Sequence, residues 1–258
     1  TLSTLLFFNL PVTLANGTNR LGILVQNFTG SYTSYKGGKL NFRKSLRFII
    51  PSLLGAVIGA RLAVKINEEM LEIVVGVLML GVLILMMLNP KRKYKVGSQE
   101  KKMNKWLNFA IFFAIGFYGG FVQAGIGLII LVALFKGANY GLIRGNAVKM
   151  LIIFLYTIPV FLIFVYNDQV HWPYAILLAV GQLAGTLFTD KYLVQHPRVS
   201  IWVRWVLISM IVLSIIKSFR KLFFRFIDWF NHITVEINNW ILELNNAITD
   251  DMRKWIVL

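Results

Sequence analysis

Six polar side chains with hydrogens to give stand in otherwise apolar sequence: Thr18, Asn19 and Arg20 in one segment, Gln123 in a second, Asn146 and Lys149 in a third. All six are donors and two are cations, while Asp and Glu are almost absent from the apolar stretches around them. Such a set suits an anion, because a proton or sodium relay usually needs a carboxylate inside the membrane. Asn146 and Lys149 are three apart, so a helix would place them on one face. Two competing roles are open. Arg20 and Lys149 could snorkel to the nearest interface, and Gln123 and the asparagines could bond between helices or cap broken ones. Covalent chemistry has no apparatus: there is no His-Glu-x-x-His, Gly-x-Ser-x-Gly or Walker loop, His171, His196 and His232 lack ligand spacing, and cysteine is absent. The chain is therefore read as no enzyme, with no metal and no cofactor.

The element that would position these donors runs from Gly116 to Gly127, where five glycines fall within twelve residues. Upstream, 106–117 is apolar and aromatic; downstream, the apolar run 128–135 is well short of the ~20 residues that cross a bilayer. This predicts two short helices meeting at a glycine-rich joint inside the membrane. Lipid cannot satisfy the freed N–H and C=O groups, so such a joint belongs inside protein or beside a wet cavity. The second helix would offer an N-terminus with unpaired N–H groups and the positive dipole end to an anion. Gly119, Gly120, Gln123, Gly125 and Gly127 join the candidate site on this ground, with the amides of 125–127 as the cradle. Glycines that only let helices pack closely are the competing explanation.

Composition sets the surroundings. Of 258 residues 57% are hydrophobic, and the formal net charge is +16. Windows of spanning length between 45 and 220 carry few charges, which collect between them, so an all-α, polytopic membrane protein is expected. Residues 219–258 hold five Lys/Arg and five Asp/Glu, so the whole excess lies in 1–218 and chiefly in short loops. That is the positive-inside pattern rather than a nucleic-acid surface, and no nucleic-acid partner is expected. The loop 36–47, with five cations and no acid, and the basic linker 91–105 are both placed in the cytoplasm. Since 1–8 already reads as apolar membrane sequence, the chain is expected to begin partway through its natural protein.

Two related halves are expected, 1–90 and 106–218, joined by 91–105. Gly181-x-x-x-Gly185 answers Gly55-x-x-x-Gly59 at an offset of 126, Asn146 answers Asn19 at 127, and Gly145 answers Gly17 at 128. Spans are read at 48–65, 70–88, 142–166, 172–189 and 201–217, with a moderately polar helix from about 15 to 35. Gly55-x-x-x-Gly59 is read as a close-contact face for a neighbouring helix. If 106–135 is a re-entrant pair, each half makes three net crossings and the halves are inverted. If it is one broken span, the halves run parallel; inversion is favoured slightly. Residues 219–258 carry apolar positions three and four apart, including Phe223, Phe226, Phe230, Ile233, Ile237 and Trp240. That is an amphipathic helix lying on the membrane, or a coiled-coil contact between protomers that would make a homo-oligomer.

On these residues the chain resembles the sulfite exporter TauE/SafE family over 1–218. The family's second glycine motif reads approximately Gly-Phe-x-Gly-Gly-Phe-x-Gly-x-Gly-x-Gly, and 116–127 matches it except for Gln123, where glycine is usual. The segment from Asn9-Leu10-Pro11 to Gly17-Thr18-Asn19-Arg20 is similar to the first-repeat Gly-Thr-Asn-Lys/Arg segment. The resemblance implies a multi-pass permease of the bacterial inner membrane moving small sulfur-containing anions such as sulfite or organosulfonates, often by export. The thiosulfate-importing relatives use cysteines, so that subgroup is disfavoured. Its partners would be the anionic solute and the lipid bilayer. From a different class, a non-transporting scaffold acting through its C-terminal amphipathic helix is the alternative.

Overall fold

A computed structural model describes residues 2–77 and 104–188, together with Ser209. The spans expected beyond residue 77 and at 201–217, most of the basic linker and the amphipathic tail lie outside the described residues. The chain divides into two compact units, Thr1–Ile215 and Ile216–Leu258, and all that follows concerns the first. Its described residues form α1 (Leu2–Phe7), α2 (Val12–Lys36), α3 (Phe42–Lys65), α4 (Lys105–Phe121), α5 (Ile126–Ala138), α6 (Leu142–Tyr166) and α7 (Trp172–Phe188), with no strand among them. Residues 68–77 are helical as well.

The distribution of side-chain size on α3 shows which solvent the fold meets. Beyond the buried Phe48, Ile49 and Pro51, its inward positions are small: Ser52, Gly55, Ala56, Gly59, Ala60 and Ala63 are buried, while the bulky Ile50, Leu54, Ile58 and Leu62 face outward. A water-soluble helix buries its large apolar residues, so this order is that of a helix packed through small residues with its outer face in lipid. Phe42–Lys65 and Ile143–Tyr166 are both long and apolar enough to span a membrane.

The small residues of α3 meet glycines of α4. A Cβ at Gly55 would collide with the Phe113 carbonyl, one at Gly59 with that of Phe117, one at Gly116 with that of Ser52, and one at Gly120 with that of Ala56. Two Gly-x-x-x-Gly pairs thus interlock backbone against backbone, and the two helices run parallel. The expected contact role of Gly55 and Gly59 is met by Gly116 and Gly120. At Gly181 and Gly185, by contrast, a Cβ would meet nothing within 4 Å among the described residues.

The α4–α5 pair enters and leaves at one end. Near the start of α4, Asn108 Nδ2 donates to the Arg47 carbonyl at 2.6 Å; just after α5, the Tyr140 ring sits edge-on to Phe48 with centroids 5.8 Å apart. Both ends of the pair therefore meet the same turn of α3, as a re-entrant hairpin does. Between α2 and α6 the direction is opposite. The Thr18 hydroxyl, near the start of α2, accepts from His171 N at 2.9 Å in the turn after α6. Gly17 lets the Gln169 carbonyl approach the α2 backbone where a Cβ would collide with it.

Element boundaries correspond at a separation of 130. Val12 and Leu142 open helices of 25 residues each, and Phe42 and Trp172 open the helices that follow. Asn9 and Asn139 are both left-handed, as are Gly38 and Asp168 after the two 25-residue helices. The landmarks read from the sequence pair at 126–128 instead. At the separation of 130, Gly55 would stand opposite Gly185 and Asn16 opposite Asn146.

Candidate functional site

The joint is where sequence placed it, with its break four residues later than expected. α4 continues through Gly116, Gly119 and Gly120 to Phe121; Val122 is extended, and Gly125 turns left-handed (φ 69°) to start α5 at Ile126. That φ is open to glycine at little cost, whereas a Cβ there would meet the backbone. Among the described residues no acceptor takes up the N–H of Gly125, Ile126 or Gly127, while Leu128 N is held by the Gly125 carbonyl at 3.0 Å. Three consecutive amides at the start of a 13-residue helix are therefore open.

Lys149 comes to the same place from α6. A Cβ at Gly127 would lie 3.6 Å from its Cδ and 4.0 Å from its Nζ, so the ammonium stands beside the α5 N-terminus. Helix rise of ~1.5 Å per residue puts Lys149 about 10 Å along α6 from its first residue. Asn146 lies one turn nearer the start of α6 and is half-buried, as is Lys149. Lys149 is thus brought beside the amides, and Asn146 stands three residues before it on the same helix.

Arg20 has a different place. It is 0% exposed, which removes snorkelling, and its guanidinium closes the C-terminal end of α4. One terminal nitrogen donates to the Gly119 carbonyl (2.6 Å) and Gln123 Oε1 (2.8 Å), the other to the Gly120 carbonyl (2.7 Å) and Asn16 Oδ1 (3.1 Å). Asn16 Nδ2 adds a bond to the Phe121 carbonyl at 2.8 Å, and the Phe164 ring faces the guanidinium at 5.2 Å. The last carbonyls of a helix have no partner within it and carry its negative dipole end, so a buried cation fits there without a carboxylate. Gly119 and Gly120 meet Arg20 through their carbonyl oxygens. Gln123 is shared in the same way, its amide lying 3.4 Å from the Tyr156 hydroxyl and 3.3 Å from that of Thr157.

Thr18 is engaged by His171 N, whereas the Asn19 side-chain oxygen is buried without a partner, the residue being 5% exposed. The roles of Asn16, Tyr156, Thr157 and Phe164 were not foreseen; of these only Asn16, four residues before Arg20 on the same helix face, carried a sequence signal. Nor was Glu72. It is 8% exposed within helical 68–77 and qualifies the expectation of acid-poor spans.

With this geometry in view, a family model described as sulfite exporter TauE/SafE matches residues 1–218. The chain belongs to the TauE/SafE family. Two relatives, each described as a probable membrane transporter protein, are similar to it. One from a Sinorhizobium species, ORF9, is 23% identical and covers 74% of this chain and 73% of its own length. The other, YunE of Bacillus subtilis strain 168, is 24% identical over 70% of this chain and 72% of its own. No solved structure matches. The polar joint of this TauE/SafE chain thus lies in a membrane transporter, with both helix ends of the break inside protein, as lipid requires.

Proposed function

We propose that this chain is a permease that carries a small oxyanion, sulfur-containing such as sulfite or an organosulfonate, out across the cytoplasmic membrane. One observation carries the reading: the unpaired amides of Gly125, Ile126 and Gly127 lie beside the Lys149 ammonium within the span. The amides and the positive end of α5 attract a negative solute, and Lys149 offsets its charge away from bulk water, where a bare anion would be costly. Asn146 supplies a further hydrogen bond from the same face of α6. Arg20, Gln123 and Asn16 fix the other side of the break by holding the end of α4.

Two inverted halves fit the antiparallel course of α2 and α6, the re-entrant α4–α5 pair and the element separation of 130. In such transporters, broken helices near the repeat interface hold the solute while one half rocks against the other. The sulfur chemistry and the outward direction follow the family description and are part of the proposal. The test is flux of labelled sulfite, a sulfonate and chloride in proteoliposomes of the full chain, with Lys149→Met and Asn146→Leu. Loss of flux with normal elution of the protein supports the site; unchanged flux of every anion in both variants removes these residues from it.

A further inference from the structure

A second basic feature lies apart from the joint. A pocket of about 220 Å³ opens between the turn after α2, the first turn of α3 and the first turns of α6. Lys39, Lys44 and Arg144 line it with Asn41, Tyr140 and Val148. Segments 38–48 and 140–148, which supply its walls, contain no Asp or Glu, and Arg47 reaches the Tyr140 hydroxyl at 3.5 Å. The pocket has room for about seven waters at ~30 Å³ each, hence for a tetrahedral oxyanion and part of its hydration rather than a large organic ligand.

Its existence has a local cause. At the separation of 130, the turn after α6 is the counterpart of the turn after α2, and there the start of α2 is drawn tight by Gly17 against the Gln169 carbonyl and by Thr18 to His171 N. Ala147 and Val148 stand at the corresponding places on α6. Alanine carries the methyl that Gly17 lacks and valine has no hydroxyl to receive an N–H, so the two contacts that close one end of the α2–α6 pair have no counterpart at the other. The open end carries the cations, and it is the end that the positive-inside rule puts in the cytoplasm.

We infer that this pocket is a cytoplasm-facing binding site for a tetrahedral oxyanion group, separate from the joint. Two sources present that group: the phosphodiester of an anionic phospholipid, which basic pockets at this depth attract, and a soluble ion such as sulfate or phosphate. The inference does not rest on the proposed transport, since Lys149 and Gly127 form no part of the pocket wall.

The experiment uses the full chain in nanodiscs. In phosphatidylcholine discs, binding of labelled inorganic sulfate and phosphate is titrated; in a second arm, phosphatidylglycerol retained through purification is read by native mass spectrometry. All proteins also carry Lys149→Met, so that the joint does not contribute. The triple variant Lys39→Gln/Lys44→Gln/Arg144→Gln is expected to weaken the probe that binds on the order of a hundredfold, since each basic residue near an anionic surface is worth about fivefold. Val148→Phe keeps every charge and fills the pocket, and it is expected to cause the same loss even if the triple variant misfolds. Loss in the sulfate or phosphate arm identifies a soluble ligand, and loss in the lipid arm a headgroup. Binding of all probes within twofold of the parent in Val148→Phe, or no binding of any probe by the parent, overturns the inference.

Discussion

Replacing Arg20 with methionine separates a structural cation from a solute-binding one. Methionine fills much of the volume but leaves four acceptors bare: the carbonyls of Gly119 and Gly120, Gln123 Oε1 and Asn16 Oδ1. The two side-chain oxygens can turn towards new partners. The carbonyls cannot, because they end a helix that glycines lock against α3. A buried acceptor without a partner costs about 1–3 kcal/mol, so the two carbonyls together cost roughly 2–6 kcal/mol. Removing the cation from a site that is 0% exposed returns part of that, because a buried charge pays for its lost hydration. The net expectation is a destabilisation of about 3 kcal/mol. Arg20→Lys keeps the charge but lacks the planar fork that serves both carbonyls, and about half that loss is expected. Reversible unfolding of the bilayer-mimetic-solubilised protein by increasing SDS, followed by tryptophan fluorescence, reads both values. Stability within about 0.5 kcal/mol of the parent in Arg20→Met refutes the reasoning, since the end of α4 would then not need the guanidinium. Retained stability with abolished flux would instead assign Arg20 to the solute.

Gly59→Leu drives a side chain into the Phe117 carbonyl and is expected to prevent α3 and α4 from docking, seen as loss of a monodisperse elution peak. Gly125→Ala is expected to destabilise by about 1–2 kcal/mol, read in the same unfolding assay, because the residue sits at φ 69°. Gly127→Ala meets Lys149 only at ordinary contact distance; it is expected to leave stability unchanged while lowering anion flux by crowding the open amides. Thr18→Val, which copies the residue at the corresponding place on α6, is expected to lower stability by about 1 kcal/mol through loss of the acceptor for His171 N.

The all-helical class, the break in 116–127 and the small-residue face of α3 were legible because each is local: a glycine cluster, a run of apolar residues, a four-residue spacing. The placing of Asn146 and Lys149 on one helix was legible for the same reason. Arg20 was not. Its acceptors are backbone carbonyls about one hundred residues away, and a carbonyl leaves no mark in a sequence. Its charge suggested an anion, whereas the negative end of a helix meets the same electrostatic demand. The partner of the Gly55 and Gly59 face was not legible for a related reason, since glycine pairs on several helices offer equal patterns and only tertiary contact selects Gly116 and Gly120. The extent of α4 was underestimated because glycine marks permission to break a helix, and four further residues held.

The interlock of α3 with α4 bears on how the molecule could move. Helices meshed main chain to main chain cannot slide or pivot past each other without first separating, so α3 and α4 must travel as one rigid lever. Displacement then falls on two softer places. One is the four-residue bridge 122–125, with no helix of its own; the other is the α2–α7 contact, where the Gln182 amide rests against Gly22 with its side-chain nitrogen and oxygen both unbonded. A gate built on that plan would carry α4 with α3 as one body, and Tyr140 against Phe48 would tie the far end of α5 to it.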